Sequence, residues 1–211
     1  MTAVADLHTH RLDSTDGIIS VNPFFNAYDA AKHYSAGIHP WNAESVAERE
    51  INALYEAAAR GEVVAIGECG LDRLRGGCLD YQIKIFREHI SLSEALRKPL
   101  IVHCVRCTAE LLAERKRSRA AMPWAFHGFR GGAAEAAQLC RAGIYVSLGE
   151  RFNAQAAAVV PEEMLLAETD ESLLSLGAVT ERIGQFSGAD TARNLRQFLS
   201  IEKRWTGFNR G

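Results

Sequence analysis

The chain has 211 residues, enough for one domain with a substantial core. Hydrophobic residues are 47% and charged residues 24%, which suits a folded globular protein, and no apolar run is long enough to span a bilayer. A formal net charge of −2 excludes a polycation that coats nucleic acid in bulk, so an anionic substrate needs a local group of arginines.

No internal repeat, low-complexity tract or linker is visible. The N-terminal segment reaches Asp6 and His8 too early for a signal peptide. Cys69, Cys78, Cys104, Cys107 and Cys140 are odd in number and lack a framework spacing, which points to reduced thiols and a cytoplasmic setting.

Short apolar runs alternate with amphipathic stretches. They predict strands at residues 4–7, 18–21, 34–37, 63–67, 100–103, 124–126, 144–148 and 164–167. Periodicity alone does not secure the runs at 34–37 and 124–126. Helices are predicted over 44–60, ending at the C-cap residue Gly61, and over 79–96, stopping before Pro99. Further helices are predicted over 109–118, 133–142, 153–160, 173–183 and 189–198.

This order implies an α/β fold, a TIM-like (β/α) barrel. Residues 11–17 alone separate the first two strands, whereas a parallel crossover usually needs about a dozen residues or more. The barrel is therefore expected to be short and distorted, with a thinned helical ring. Residues 1–205 are expected to form this single domain and 206–211 a flexible tail.

The residues that carry chemistry fall at strand C-terminal ends, which in a barrel form the active-site rim. His8 and His10 lie two apart in Asp6-Leu7-His8-Thr9-His10, so both imidazoles share one side. Glu68 ends the fourth predicted strand and His103 the fifth, His127 follows the sixth, and Asp170 follows the eighth. Imidazoles and carboxylates suit zinc, manganese and related ions. Two histidines and two carboxylates can hold one ion, and a carboxylate can bridge to a second held by two more histidines. Such a pair makes a hydroxide from water near neutral pH. An isolated histidine is usually surface or satisfied core, and His33 and His89 read that way. Six ligand-type residues at strand ends are harder to explain as packing.

Seven segments carry a family resemblance: Asp6-Leu7-His8-Thr9-His10, Gly37-Ile38-His39-Pro40-Trp41, Ile66-Gly67-Glu68-Cys69-Gly70-Leu71-Asp72, Pro99-Leu100-Ile101-Val102-His103-Cys104, His127-Gly128-Phe129-Arg130-Gly131, Gly143-Ile144-Tyr145-Val146-Ser147 and Glu168-Thr169-Asp170. In this order the chain resembles the TatD family of metal-dependent hydrolases. The resemblance implies a TIM-like barrel and deoxyribonuclease activity, including removal of nucleotides from single-stranded 3′ ends. By position it implies that His8, His10, Glu68 and Asp170 hold one divalent ion. Glu68, His103 and His127 would hold a second, with Glu68 bridging and zinc, magnesium or manganese as the metal. His39 would approach a substrate phosphate. The chain departs from the family in placing Val105 two residues after His103, with Arg106 one later. Glu171-Ser172-Leu173 follows Asp170 without the usual proline, and the chain is shorter than typical members.

Arg11, Arg73, Arg75, Arg106, Arg130 and Arg151 follow predicted strand ends, where guanidinium forks can meet phosphate oxygens. Arg73, Arg106 and Arg130 are the expected substrate contacts. Arg106 has a second reading, a surface residue paired with Glu110. Arg115, Lys116, Arg117 and Arg119 read as a solvated helix face. Cys104-Val105-Arg106-Cys107 could be a redox pair at a helix start, but no second cysteine pair supports a structural zinc site. Trp41 could pack on the helix that follows it. Phe129 and Tyr145 could stack a base, with core packing favoured for Tyr145.

The expected function is phosphodiester hydrolysis at DNA ends, with Asp170 and Glu68 as catalytic carboxylates and Asp170 orienting the attacking water or accepting its proton. Two alternatives remain open at this stage. One is amide or ester hydrolysis on the same metal pair, and the other is a degenerate binding protein. No membrane and no obligate protein partner are expected.

Overall fold

The computed structural model describes residues 4–200. The expected boundary at residue 205 and the tail at 206–211 lie outside them.

Eight strands form one parallel sheet in sequence order: β1 Asp6–Thr9, β2 Gly17–Val21, β3 His33–Ala36, β4 Val63–Asp72, β5 Leu100–Val105, β6 Trp124–Phe126, β7 Ile144–Leu148 and β8 Leu165–Ala167. The sheet curls until its edges meet. Asp170 N–H donates to the His8 carbonyl at 2.8 Å, and Thr9 bridges Asp170 in parallel. The expected barrel is present, and Asp170 closes it.

Among the described residues, seven α-helices follow the strands: α1 Glu48–Ala58, α2 Leu79–Leu96, α3 Thr108–Ser118, α4 Ala133–Arg141, α5 Ala154–Val159, α6 Leu176–Ile183 and α7 Thr191–Leu199. No helix joins β1 to β2 or β2 to β3, so the ring is thin on that side. Loop residues there stand open around the mouth.

Two interleaved sets of side chains build most of the core, and a third, smaller cluster of Ile19, Val21, Tyr34, Ala36, Ala57 and Val63 lies beside them. Ala65, Ile101, Ala125 and Leu166, from four strands, pack together with Leu195 and Phe198 of α7. Asn194 fastens α7 to the start of β8, donating to the Leu165 carbonyl at 2.8 Å, so this helix packs at the end of the barrel opposite the mouth. The alternate strand residues, among them Ile66, Val102, Trp124 and Val146, pack in a second cluster with helix residues such as Phe86, Leu111 and Leu139. Period-two alternation thus sorts each strand into a barrel filling and a helix-facing side.

Several expected boundaries move for local reasons. The helix expected over 44–60 is instead a 3-10 helix, Pro40–Ser45, followed by α1. Ala47 is extended, and the Glu50 carboxylate accepts its N–H at 3.0 Å, which starts the helix later. The helix expected from 173 starts at Leu176 because Ser175 accepts the Ala178 N–H, and that expected from 189 starts at Thr191 because Asp190 accepts the Arg193 N–H. β1 runs Asp6–Thr9, not 4–7, so His8 lies within the strand.

β4 departs furthest. It does not end at residue 67 but continues to Asp72, which puts Glu68 in mid-strand. Gly67 and Gly70 adopt φ of 141° and 138°, and the register with β5 shifts between Ile66 and Cys69. Glycine permits this backbone, and the shift changes the side on which Glu68 emerges.

Candidate functional site

Glu68 is the hub of the barrel mouth. Its side chain is 8% exposed and its two oxygens face different partners. Oε1 lies 2.8 Å from His103 Nδ1, 2.8 Å from His127 Nε2 and 3.2 Å from His39 Nε2. Oε2 lies 3.4 Å from His8 Nε2 and 3.7 Å from His10 Nε2. Asp170 Oδ1 faces the same two histidines at 3.7 and 3.6 Å. All six expected ligand residues therefore converge in one place, and His39 joins them. Alternation explains two of these: His103 shares a side of β5 with Ile101, and His127 continues the side of Ala125.

The ligand atoms fall into groups within 4.8 Å, including His8, His10 and Asp170, then His39, Glu68 and His103, and also His8, Glu68 and His127. His8 tests the fit to a cation. It is wholly buried, yet neither ring nitrogen makes a hydrogen bond. A buried polar atom without a partner is costly, and a cation between imidazoles and carboxylates relieves it. The donor set fits divalent ions.

Burial opposes charge on Glu68, but the His127 imidazolium and bonds from His103, His127 and His39 hold its carboxyl well below the usual range. Burial likewise opposes protonation of His127, and Glu68 and Glu168 overcome it and raise its pKa well above the ordinary value. His10 is lowered by burial and then by His8.

A second tier of acids holds the histidines. Asp72 is buried and lies 3.2 Å from His103 Nε2, and it accepts the Trp41 indole N–H at 2.6 Å. Glu168 is wholly buried, with Oε1 3.3 Å from His127 Nδ1. Carboxylates behind ligating imidazoles fix ring orientation and tautomer. Sequence reasoning assigned neither a role, although Asp72 ends the Gly-Glu-x-Gly-Leu-Asp segment and Glu168 opens Glu-Thr-Asp. Asp6 braces the seam of the barrel, accepting from Thr169 Oγ1 at 2.6 Å and from the His8 N–H at 3.2 Å. Burial pushes its carboxyl up to about 6, against those hydrogen bonds.

The arginines divide. Arg130 and Arg151 line a groove of about 400 Å³ beside Asp170. Arg73 is turned away, donating to the Arg106 carbonyl at 3.1 Å and pairing with Glu110. Arg106 lies in the left-handed region at φ 52°, and the residues lining the cleft and the groove do not include it. Its expected pairing with Glu110 is replaced by that of Arg73. Arg11 donates to the Ser172 and Leu174 carbonyls, and Arg75 lies 4.6 Å over the Trp41 ring.

Other expectations are corrected or sharpened. Phe129 is 1% exposed against Phe126, so it offers no stacking face, and Tyr145 packs on Phe198. Cys104 and Cys107 are buried free thiols, with burial pushing Cys104 up to about 12, the opposite of an activated pair. His89 is a satisfied core residue. Its Nε2 accepts the Ile38 N–H at 2.9 Å and its Nδ1 donates to the Ile85 carbonyl at 2.8 Å. Trp41 does not pack into the following helix but stands 47% exposed at the cleft.

A parallel barrel that gathers imidazoles and carboxylates at its strand C-terminal ends has the architecture of a metal-dependent barrel hydrolase. The family model described as TatD related DNase matches residues 7–185, and the chain belongs to this family. It is 33% identical over 150 residues to the 3′-5′ ssDNA/RNA exonuclease TatD of Cronobacter turicensis, a match covering 66% of this chain and 57% of that protein. It is 30% identical over 143 residues to the uncharacterized metal-dependent hydrolase YabD of Bacillus subtilis, covering 64% of this chain and 56% of that protein. Its matches thus span less than two thirds of these relatives. The crystal structure of YJJV, a TatD homologue from Escherichia coli K12, shares the fold with a TM-score of 0.71 at 22% identity, over 92% of this chain and 86% of that one. Among the described residues no helix is long and apolar enough to cross a membrane.

Proposed function

We propose that this protein is a metal-dependent nuclease that hydrolyses phosphodiester bonds at the ends of single-stranded DNA. The observation that carries this reading is the split environment of Glu68, with one oxygen toward His8 and His10 and the other toward His103 and His127. His8, His10, Glu68 and Asp170 would hold one divalent ion, and Glu68, His103 and His127 a second. Zinc, magnesium and manganese all suit these donors. Bound there, the ions supply Lewis acidity that eases deprotonation of water and offsets phosphoryl charge.

The chain's own groups do the rest. Asp170 is 29% exposed at the mouth, so its carboxylate is reachable by water and accepts the proton of the attacking water. The water oxygen forms the new bond to phosphorus as the P–O bond to the leaving sugar breaks, and the sugar oxygen takes up a proton from solvent. Glu68 stays ionised throughout, held so by the histidines around it. Arg130 in the adjoining groove offers donors to phosphoryl oxygens, and His39 on the cleft wall would do so by turning its Nε2 from Glu68. Asp72 and Glu168 keep His103 and His127 oriented. Arg73 and Arg106 lie outside this cleft.

The complete ligand set argues against a degenerate binding protein, and the nuclease name of relatives argues for phosphodiesters over amides or esters. The free thiols support a cytoplasmic location. The test is turnover of 3′-labelled single-stranded DNA, beside a carboxylic ester, after metal stripping and after adding back each metal. Metal-dependent shortening of DNA alone is expected. Ester turnover without DNA cleavage would overturn the reading.

A further inference from the structure

The residues lining the cleft that contains Glu68 also include three exposed large apolar side chains, Leu12, Phe24 and Trp41. Phe24 is 56% and Trp41 47% exposed. Single exposed apolar residues are ordinary on a protein surface. These three instead converge on one cavity of about 920 Å³, continuous with the histidine cluster. Its volume exceeds what the ligand groups need and leaves room for part of a substrate beside them.

The Trp41 ring and the backbone of Phe24 are fixed by their neighbours. The Trp41 indole is held by its bond to Asp72, by the Arg75 guanidinium over the ring and by His39 meeting it edge-on with centroids 4.5 Å apart. Phe24 follows β2 closely, and its N–H donates to Asn22 Oδ1 at 2.9 Å. Its neighbour Phe25 is packed on Tyr28 and Tyr34, with centroids 5.0 and 5.6 Å away. An exposed ring that is already ordered, as that of Trp41 is, loses little entropy when a flat partner settles on it. Three polar groups on the same wall are engaged elsewhere. Asn22 accepts from Phe24, Ser45 donates to the Asn42 carbonyl, and Glu50 accepts from Ala47 and Arg49. The wall thus presents ring faces beside these polar groups.

We propose that Phe24 and Trp41 stack the unpaired nucleobase next to the scissile phosphate, so that the cleft selects single-stranded ends by base stacking and not by base identity. Every base has a π face, whereas a duplex end keeps its base faces covered. This rests on the nuclease reading above and names the residues that would set its strand preference.

The test compares kcat/KM of the wild type and Phe24→Ala on three single-stranded DNAs: one unmodified, one with an abasic terminal residue and one with an abasic penultimate residue. Phe24 is exposed, so the variant should fold normally. On unmodified DNA the variant should lose on the order of 5- to 100-fold. On one of the abasic DNAs the wild type should lose a similar factor and the two proteins should agree to within about twofold. Phe24→Tyr should restore the rate on unmodified DNA. Equal rates of wild type and Phe24→Ala on unmodified DNA would overturn the stacking role, as would a loss undiminished on both abasic DNAs. In either case a wild type that still cleaves leaves the nuclease reading standing. A wild type that leaves all three intact with every metal overturns both.

Discussion

Replacing His89 with Gln probes a buried imidazole that anchors the segment entering His39. His89 is wholly buried on α2, and accepting the Ile38 N–H at Nε2 requires that nitrogen to be unprotonated. Burial pushes its pKa down from 6.5 to about 4, with the bond to the Ile85 carbonyl opposing the shift. The unfolded chain takes up this proton near the ordinary value while the folded protein resists it. The contribution is therefore complete above pH 6.5 and is lost as pH falls toward 4. Within that window a single proton is worth about 1.4 kcal/mol per pH unit, or roughly 2–3 kcal/mol between about pH 6.5 and about pH 4.5. Urea unfolding of both metal-free proteins at about pH 7.5 and about pH 4.5 reads the difference, since other titrating groups are common to both. At the higher pH the variant should be about 1–3 kcal/mol less stable, from disturbed buried hydrogen bonds. At the lower pH the gap should shrink by roughly 2–3 kcal/mol, because Gln has no proton to exclude. A gap of the same size at both pH values would refute the neutral buried imidazole.

Glu68→Gln keeps the shape of the hub but removes its charge. It should bind both divalent ions more weakly and lose on the order of a hundredfold or more in kcat; unchanged metal content and turnover would end its assignment to both sites. Gly70→Ala would place a Cβ against the His103 carbonyl at a φ of 138°, and a loss of about 3 kcal/mol or more, seen as a lower Tm, is expected. An unaltered Tm would show that β4 and β5 can part without cost. Arg106→Ala should change kcat/KM on DNA by less than about twofold, as for other surface substitutions away from a site; a tenfold loss would return Arg106 to the phosphate.

Local periodicity made much of the frame legible. α2 runs from Leu79 to Leu96 as its apolar spacing and Pro99 predict, and β7 matches its expected span. Period and stop signals act over a few residues, so one sequence carries them. His8, His10, His103, His127 and Asp170 were legible for the same reason, as polar groups at the ends of apolar runs. Glu68 was legible as a ligand-type residue, and the family resemblance placed it between the two ligand groups, but its direction was not legible. Its direction depends on the register shift that Gly67 and Gly70 allow against β5, a pairing between segments more than thirty residues apart. Asp72 and Glu168 acquire a role only when the closed barrel sets them behind imidazoles from other strands. The fate of the arginines was decided in the same way. A guanidinium goes to whichever partner the fold brings near, and for Arg73 that is Glu110 on α3 while Arg130 faces the groove. Ligand identity is a property of a strand end, whereas which oxygen meets which ring depends on how eight strands close.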